Sequence, residues 1–303
     1  MKSFSELTKE ELYRIENSNS CCDLAEFAGL LLMGCSISFD EIKLVTENSD
    51  VLGCFAMLAR RLGYTVHSGQ TADKASRYSA RITDPTQIFM LLGEFSLTDT
   101  NTKIIRHRVP LHIIENECCR RAFIRGAFMG GGTVIDPQKN YNLELVTPYM
   151  RLSGDICAVL GEDGFEFKTV VRKSKYVLYS RNSEKIQDFL SYMGAYKAQM
   201  QLINIKIEKE IRNDVTRSIN SETANYEKTI SASVKQLQAI ETIEKNMKLD
   251  DLPEELCEIA KLRVKHKSMS LTELGRLCVP PLGKSGVNHR MQKIMAVAEK
   301  LKE

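Results

Sequence analysis

CCDLAEFAGLLLMGCSI, Cys21–Ile37, and CCRRAFIRGAFMGGGTV, Cys118–Val134, are the same apolar stretch written twice at an offset of 97 residues. Cys, Cys, Ala, Gly and Gly coincide. After an extra polar loop in the second copy, Asp136–Asn142, Leu44-Val45-Thr46 answers Leu145-Val146-Thr147 at an offset of 101. A helical stretch ending at Gly63-Tyr64 then parallels one ending at Gly164-Phe165. Runs rich in β-branched and aromatic residues read as strands at 42–46, 64–67, 78–83, 142–147, 166–171 and 176–180. The repeating unit is helix, two strands, helix, two strands, helix, which makes the first two thirds of the chain a duplicated α+β domain.

The leading helix of each copy carries small residues four apart: Cys21, Ala25 and Gly29, then Cys118, Ala122, Gly126 and Gly130. Glycine inside a helix costs about 1 kcal/mol against alanine, so several on one face imply a close backbone approach that offsets the loss. The two leading helices are expected to pack on each other.

Composition narrows the rest. The 303 residues are 43% hydrophobic and 27% charged, enough for two cores and too apolar for a disordered chain. The longest apolar stretch, Phe27–Cys35, falls well short of the roughly 18 to 20 residues that span a bilayer, and no secretory leader precedes it. Nine cysteines without a CxxC spacing indicate neither a disulfide framework nor a zinc ribbon, and read as reduced cytosolic thiols. His67, His107 and His112 have no ligand-like spacing, so no metal or cofactor is expected. Between Lys261 and Lys302 there are ten basic residues against two acids, whereas the remainder is net acidic. That asymmetry is the footprint of a nucleic-acid-binding tail, with a solvated basic surface as the alternative.

FAGLLLMGC, Phe27–Cys35, and IRGAFMGGG, Ile124–Gly132, resemble degenerate copies of the LAGLIDADG helix of homing endonucleases. The resemblance implies a pseudo-twofold αββαββα fold in which the motif helices meet and two sheets form a DNA-binding saddle. Nuclease chemistry in that fold needs a carboxylate at the end of each motif helix to hold metal ions. Gly34 and Gly131 stand there instead, so no catalytic residue is expected; Asp40 and Asp136, at unequal offsets, read as solvated or capping groups. GAFMGGGT, Gly126–Thr133, approaches a phosphate-loop spacing, but Gly132 replaces its lysine and the run ends a helix instead of opening one, so no small-molecule substrate is expected. On the saddle, Lys168, Arg172, Lys173, Lys175 and Arg181 suit phosphate contact, or else simply decorate an exposed hairpin.

The last segment opens with Leu252-Pro253, followed by a helix with Leu256, Ile259, Ala260 and Val264 on one face. Ser270 and Glu273 form a capping box for a short helix over about 271–278. Pro280-Pro281 breaks the chain, and Ser285 is expected to cap a long helix whose Val287, Met291, Ile294, Ala298 and Leu301 follow i, i+4, i+7, i+11, i+14. This is a helix-turn-helix layout, or else a three-helix protein-interaction module. In the first reading Lys284, Ser285, Asn288, His289, Arg290 and Lys293 face DNA, with Gln292 a weaker candidate.

LPEELCEIAKLR, Leu252–Arg263, SLTELGRL, Ser270–Leu277, and PPLGKSGVNHRMQKI, Pro280–Ile294, resemble the C-terminal domain of the WhiA family of bacterial sporulation regulators; RSINSETANYEKT, Arg217–Thr229, is similar to its connector. The chain departs at Gly34, where that family often keeps an acid. The expected organisation is a LAGLIDADG-like domain over 1–203 with repeats at about 21–100 and 118–200, a connector with a helix over 204–247, and an all-α helix-turn-helix domain over 248–303. The resemblance implies a cytoplasmic, nucleoid-associated transcription factor that binds double-stranded promoter DNA and acts with RNA polymerase or a sigma factor. Its implied settings are sporulation, cell division and chromosome segregation. A docking platform anchored to DNA and a residual nuclease are the alternatives.

Overall fold

The computed structural model describes residues 2–71, 77–99 and 102–301. A helix unassigned by the sequence reading, α1 (Phe4–Tyr13), comes first, capped by a Ser3–Glu6 box. The first copy follows as α2 (Ser20–Gly34), β1 (Cys35–Ile37), β2 (Ile42–Thr46), α3 (Ser49–Arg61), β3 (His67–Gln70), β4 (Tyr78–Ile82) and α4 (Pro85–Glu94). A short hairpin, β5 (Thr98–Asp99) and β6 (Thr102–Ile105), and a 3₁₀ turn at Leu111–Ile113 lead to the second copy. That copy is α5 (Glu117–Gly131), β7 (Gly132–Val134), β8 (Leu143–Thr147), α6 (Met150–Glu162), β9 (Lys168–Arg172), β10 (Lys175–Ser180) and α7 (Ser183–Met193). Both four-stranded sheets are antiparallel in the same permuted order, β1-β2-β4-β3 and β7-β8-β10-β9.

Three differences from the sequence reading have physical causes. Strands β1 and β7 were not recognised because each is three residues long and begins directly where a helix ends, with no turn residues between. The run at 64–67 supplies only His67 to a strand. Gly63, at φ +85°, turns the chain so that Tyr64 is buried under α3 with its N–H on the Ala59 carbonyl at 2.8 Å. Third, the polar stretch after Asn204 is helical: α8 (Tyr196–Asn246) runs unbroken for 51 residues. Residues 211–228 are exposed all round, so they lack the apolar stripe that marks a packed helix in sequence.

Contacts divide the chain into two units, residues 1–209 and 210–303. The first is built around α2 and α5, with Phe27, Phe55, Phe95, Phe123 and Phe128 fully buried. Those two helices meet backbone to backbone. A Cβ on Gly29 would lie 2.0 Å from the Phe123 carbonyl oxygen, and one on Gly126 would lie 1.9 Å from that of Glu26. Beside this contact Arg125 pairs with Glu26 at 2.8 Å, both buried, and Asn17 binds each of them. The second unit packs α9 (Glu254–Lys265), α10 (Leu271–Leu277) and α11 (Lys284–Lys300) on Ala239, Ile240 and Ile243 of α8, after a 3₁₀ turn at Leu249–Asp251.

Replacing Gly126 with alanine must force the two repeats apart, because the obstructing atom is backbone. We expect a loss of about 3 kcal/mol, the upper end of the usual overpacking range. Gly154→Ala, on α6 with nothing within 4 Å, is expected to gain up to about 1 kcal/mol from helix propensity. Urea denaturation of the two variants measures the contrast; equal midpoints would refute the packing argument.

Candidate nucleic-acid interface

The second unit shows how its helices come to present a polar edge. Pro253 stands at the start of α9, where its missing N–H costs nothing, and Leu256, Ile259 and Ala260 point inward. The fourth inward position is Arg263, not the expected Val264, which is 36% exposed. Arg263 reaches under the following turn and donates to the Met269 carbonyl at 2.6 Å and the His266 carbonyl at 3.5 Å. Ser270 and Glu273 form the expected capping box of α10, and the Ser270 N–H and hydroxyl hold the Glu273 carboxyl below the ordinary carboxylate range.

The turn between α10 and α11 folds back on Gly275. Leu282 N–H donates to its carbonyl at 2.8 Å, and a Cβ there would sit 2.1 Å from the Leu282 oxygen. Only glycine fits this approach. Along α11, Val287, Met291, Ile294 and Ala298 are buried as their spacing requires. The helix starts two residues earlier than expected, with Gly283 at its cap and no side-chain capping bond. Ser285 is therefore an exposed first-turn residue and not the cap.

Ser285, Asn288, His289 and Gln292 form one outward stripe on α11, with Lys284 and Lys293 exposed on its flanks. Among the described residues, none hydrogen-bonds or ion-pairs with the side chains of Lys284, Ser285, Asn288, His289 or Lys293. Arg290 is different. Its side chain is 18% exposed and lies 3.3 Å from Glu255 and 3.6 Å from Glu258 of α9. Glu258 also accepts the Val279 N–H at 2.9 Å, so Arg290 clasps α11, α9 and the intervening turn together.

On the first unit, strand register assigns each saddle candidate a face. Lys168, Arg172 and Lys175 share one face of their sheet with Tyr179, opposite the face of the buried Leu178. Lys173 is at the hairpin tip, where it and Ser174 have φ of +47° and +60°. Arg181 lies over the Tyr179 ring at 5.4 Å and Arg172 at 5.9 Å. Arg172 also pairs with Glu144 of β8 at 2.9 Å. The sequence reading missed two cations of the first sheet, Lys43 and Arg81, which register places opposite each other; Arg81 is 3.9 Å from Glu41. The repeat gave no signal for them, because register matches Lys43 and Arg81 to Glu144 and Tyr179 of the second sheet.

Gly34 and Gly131 are the last residues of α2 and α5, as the motif requires. A Cβ on Gly34 would lie 2.9 Å from the Gly130 Cα, and one on Gly131 would lie 2.7 Å from the Val146 carbonyl oxygen. Both positions have no ligand and no room for one. Asp40 is exposed, and Asp136 accepts the Gln138 N–H in its own turn at 2.9 Å.

Comparison with known proteins places this arrangement. The profile of the WhiA C-terminal HTH domain matches residues 215–298, and that of the WhiA LAGLIDADG-like domain matches residues 120–212. A "Probable cell division protein WhiA" of Alkaliphilus metalliredigens is 37% identical over 312 residues, covering 98% of each chain. Its counterpart in Alkaliphilus oremlandii is 38% identical over 315 residues, 99% of this chain and 98% of the relative. The chain belongs to the WhiA family. Full-length WhiA from Thermatoga maritima shares the fold, with a TM-score of 0.62 and 22% identity over 99% of both chains. The first unit of this WhiA-family protein is thus a LAGLIDADG-like domain and its second a helical HTH domain. No helix among the described residues is long and apolar enough to cross a membrane.

If Arg290 is a clasp, Arg290→Ala lowers the stability of the second unit by up to about 1 kcal/mol, the range of partly exposed ion pairs. Asn288→Ala leaves stability within about 0.5 kcal/mol, as for a surface change that breaks no contact. Urea unfolding followed by amide exchange on α9 and α11 distinguishes them; an Arg290→Ala unit as stable as the parent would refute the clasp.

Proposed function

We propose that this chain is a DNA-binding transcriptional regulator that reads duplex DNA through the outward face of α11 and has no nuclease activity. The observation that carries the reading is the unpaired polar stripe at the start of α11, flanked by Lys284 and Lys293 and held by a turn that only Gly275 allows. Hydroxyl, amide and imidazole groups at that position of a helix-turn-helix reach base edges, while the lysines neutralise phosphates. In this reading Lys284, Ser285, Asn288, His289 and Lys293 touch DNA, and Arg290 positions them. The outer-face cations Lys168, Lys175 and Arg181, with Lys173 at the hairpin tip, add backbone contacts. The cellular setting is gene control in sporulation, cell division and chromosome segregation, on the nucleoid, with RNA polymerase or a sigma factor as the protein partner. The relatives' name as cell division proteins supports the cell-division setting, and the HTH match supports DNA binding.

Residual cleavage is disfavoured because restoring an acid at Gly34 or Gly131 would collide with backbone. A second reading, the first unit as a protein-docking platform, is favoured by one feature. Two of its outer-face arginines, Arg81 and Arg172, are each opposed by an acid, Glu41 and Glu144, which weakens them as phosphate ligands.

Selection of duplexes from a random pool with the full chain, followed by salt titration, tests the proposal. We expect an enriched motif, a position whose preference is relaxed by about 1 to 3 kcal/mol in Asn288→Ala, and a salt slope reduced by roughly one for each of Lys284→Ala and Lys293→Ala. Absence of any enriched sequence would favour the docking reading. Nicking of plasmid DNA with magnesium or manganese would overturn the non-nuclease assignment.

A further inference from the structure

The repeat has a consequence at the opposite end of the motif helices. Cys21 and Cys22 are in the first turn of α2, Cys118 and Cys119 in the first turn of α5, and the helices run side by side from that end. Residues at matching repeat positions therefore meet on the pseudo-dyad. The sulphurs of Cys21, Cys22 and Cys119 all lie within 4.8 Å of one another, and Cys118 Sγ is 4.0 Å from Cys119 Sγ. Cys118 thus adds a fourth sulphur to the set of three through its contact with Cys119. No disulfide links them.

We propose that these four cysteines are a binding site for a soft divalent cation, zinc in the cell, held as a tetrathiolate that joins the two repeats. In a tetrahedral zinc site the Zn–S bonds are about 2.3 Å, which sets S–S separations of roughly 3.8 Å. Cys21, Cys22 and Cys119 already stand close to that spacing, and Cys118, 4.0 Å from Cys119 but outside the set of three, swings in to complete the tetrahedron. Binding transfers one proton from each thiol to solvent and forms four metal–sulphur bonds, leaving a site of net charge −2. One feature offsets that charge. Neither Asn19 nor Asn116 caps its helix through its side chain, so first-turn N–H groups of both helices remain available to sulphur. Cys22 and Cys118 open onto a cleft of about 390 Å³ lined by Arg121 and Arg125, whose own charges are met by Glu117 and Glu26. Two of the cysteines, Cys21 and Cys118, are exposed, which gives the ion a way in.

The site was invisible to a search for ligand spacing along the chain because its halves are 97 residues apart. It becomes legible once the repeat is superposed on itself.

The test uses the full chain, reduced and freed of metal, titrated with cobalt(II) as a spectroscopic stand-in. The proposal predicts one equivalent bound, with thiolate-to-cobalt charge transfer, the intense visible bands of a tetrahedral centre, and displacement by zinc. Cys21→Ser and Cys118→Ser, at exposed positions, are expected to weaken cobalt binding about tenfold or more, while Cys157→Ser leaves it unchanged. Circular dichroism checks that each variant is folded. Absence of the charge-transfer band in the parent, or the same band in both exposed-site variants, would overturn the site. So would a disulfide between the two cysteine pairs in chain isolated from cells under thiol-trapping conditions.

Discussion

The backbone contact between α2 and α5 is the constraint on which the first unit depends. Two fifteen-residue helices approach so closely that a carbonyl oxygen of each occupies the space a Cβ would take on the other, at Gly29 and Gly126. Close approach maximises dispersion contacts along the seam and lets both sheets pack against a single core. It also leaves no room for a slip of register. The buried Arg125–Glu26 pair, completed by Asn17, lies beside the contact and punishes misalignment. A buried pair adds little net stability once desolvation is counted, but breaking it strands a charge.

The same closeness governs the chemistry at the two ends of the helices. At the C-terminal end it brings Gly34 onto Gly130 and Gly131 onto the Val146 carbonyl, which closes the place where a nuclease of this architecture would hold its paired acids. At the N-terminal end it gathers two cysteine pairs that are far apart in sequence. One packing device thus excludes one ligand set and assembles another. The remaining polar function moves outward, to the sheet faces and to the second unit.

Much of this was legible in the residues, for reasons that can be named. The duplication could be read because glycines and cysteines recur at fixed offset, and the helix–helix seam because glycine in a helix is costly unless something approaches it. The α11 face could be read because five apolar residues keep helical period over four turns. What escaped was set by context. Strands β1 and β7 are too short to carry a pattern, and α8 is polar all round over its exposed middle. Arg263 replaces Val264 in the core because backbone carbonyls of the next turn accept from one end of its guanidinium. Arg290 looked like a base reader from its position on the helix, yet two glutamates of α9 hold it. Charge alone does not reveal whether an arginine is already engaged.

The central claim is that sequence recognition resides in the unpaired stripe of α11 and not in the duplicated unit. Genome-wide occupancy of the full-length chain, compared with a variant carrying Ser285→Ala, Asn288→Ala and His289→Ala, tests it most directly, since these exposed changes leave the second unit's core and the Arg290 clasp intact. The account predicts sharp promoter-proximal peaks that collapse to background in the variant at equal protein level. Peaks that persist at the same sites would contradict it and move recognition to the first unit or to a bound partner.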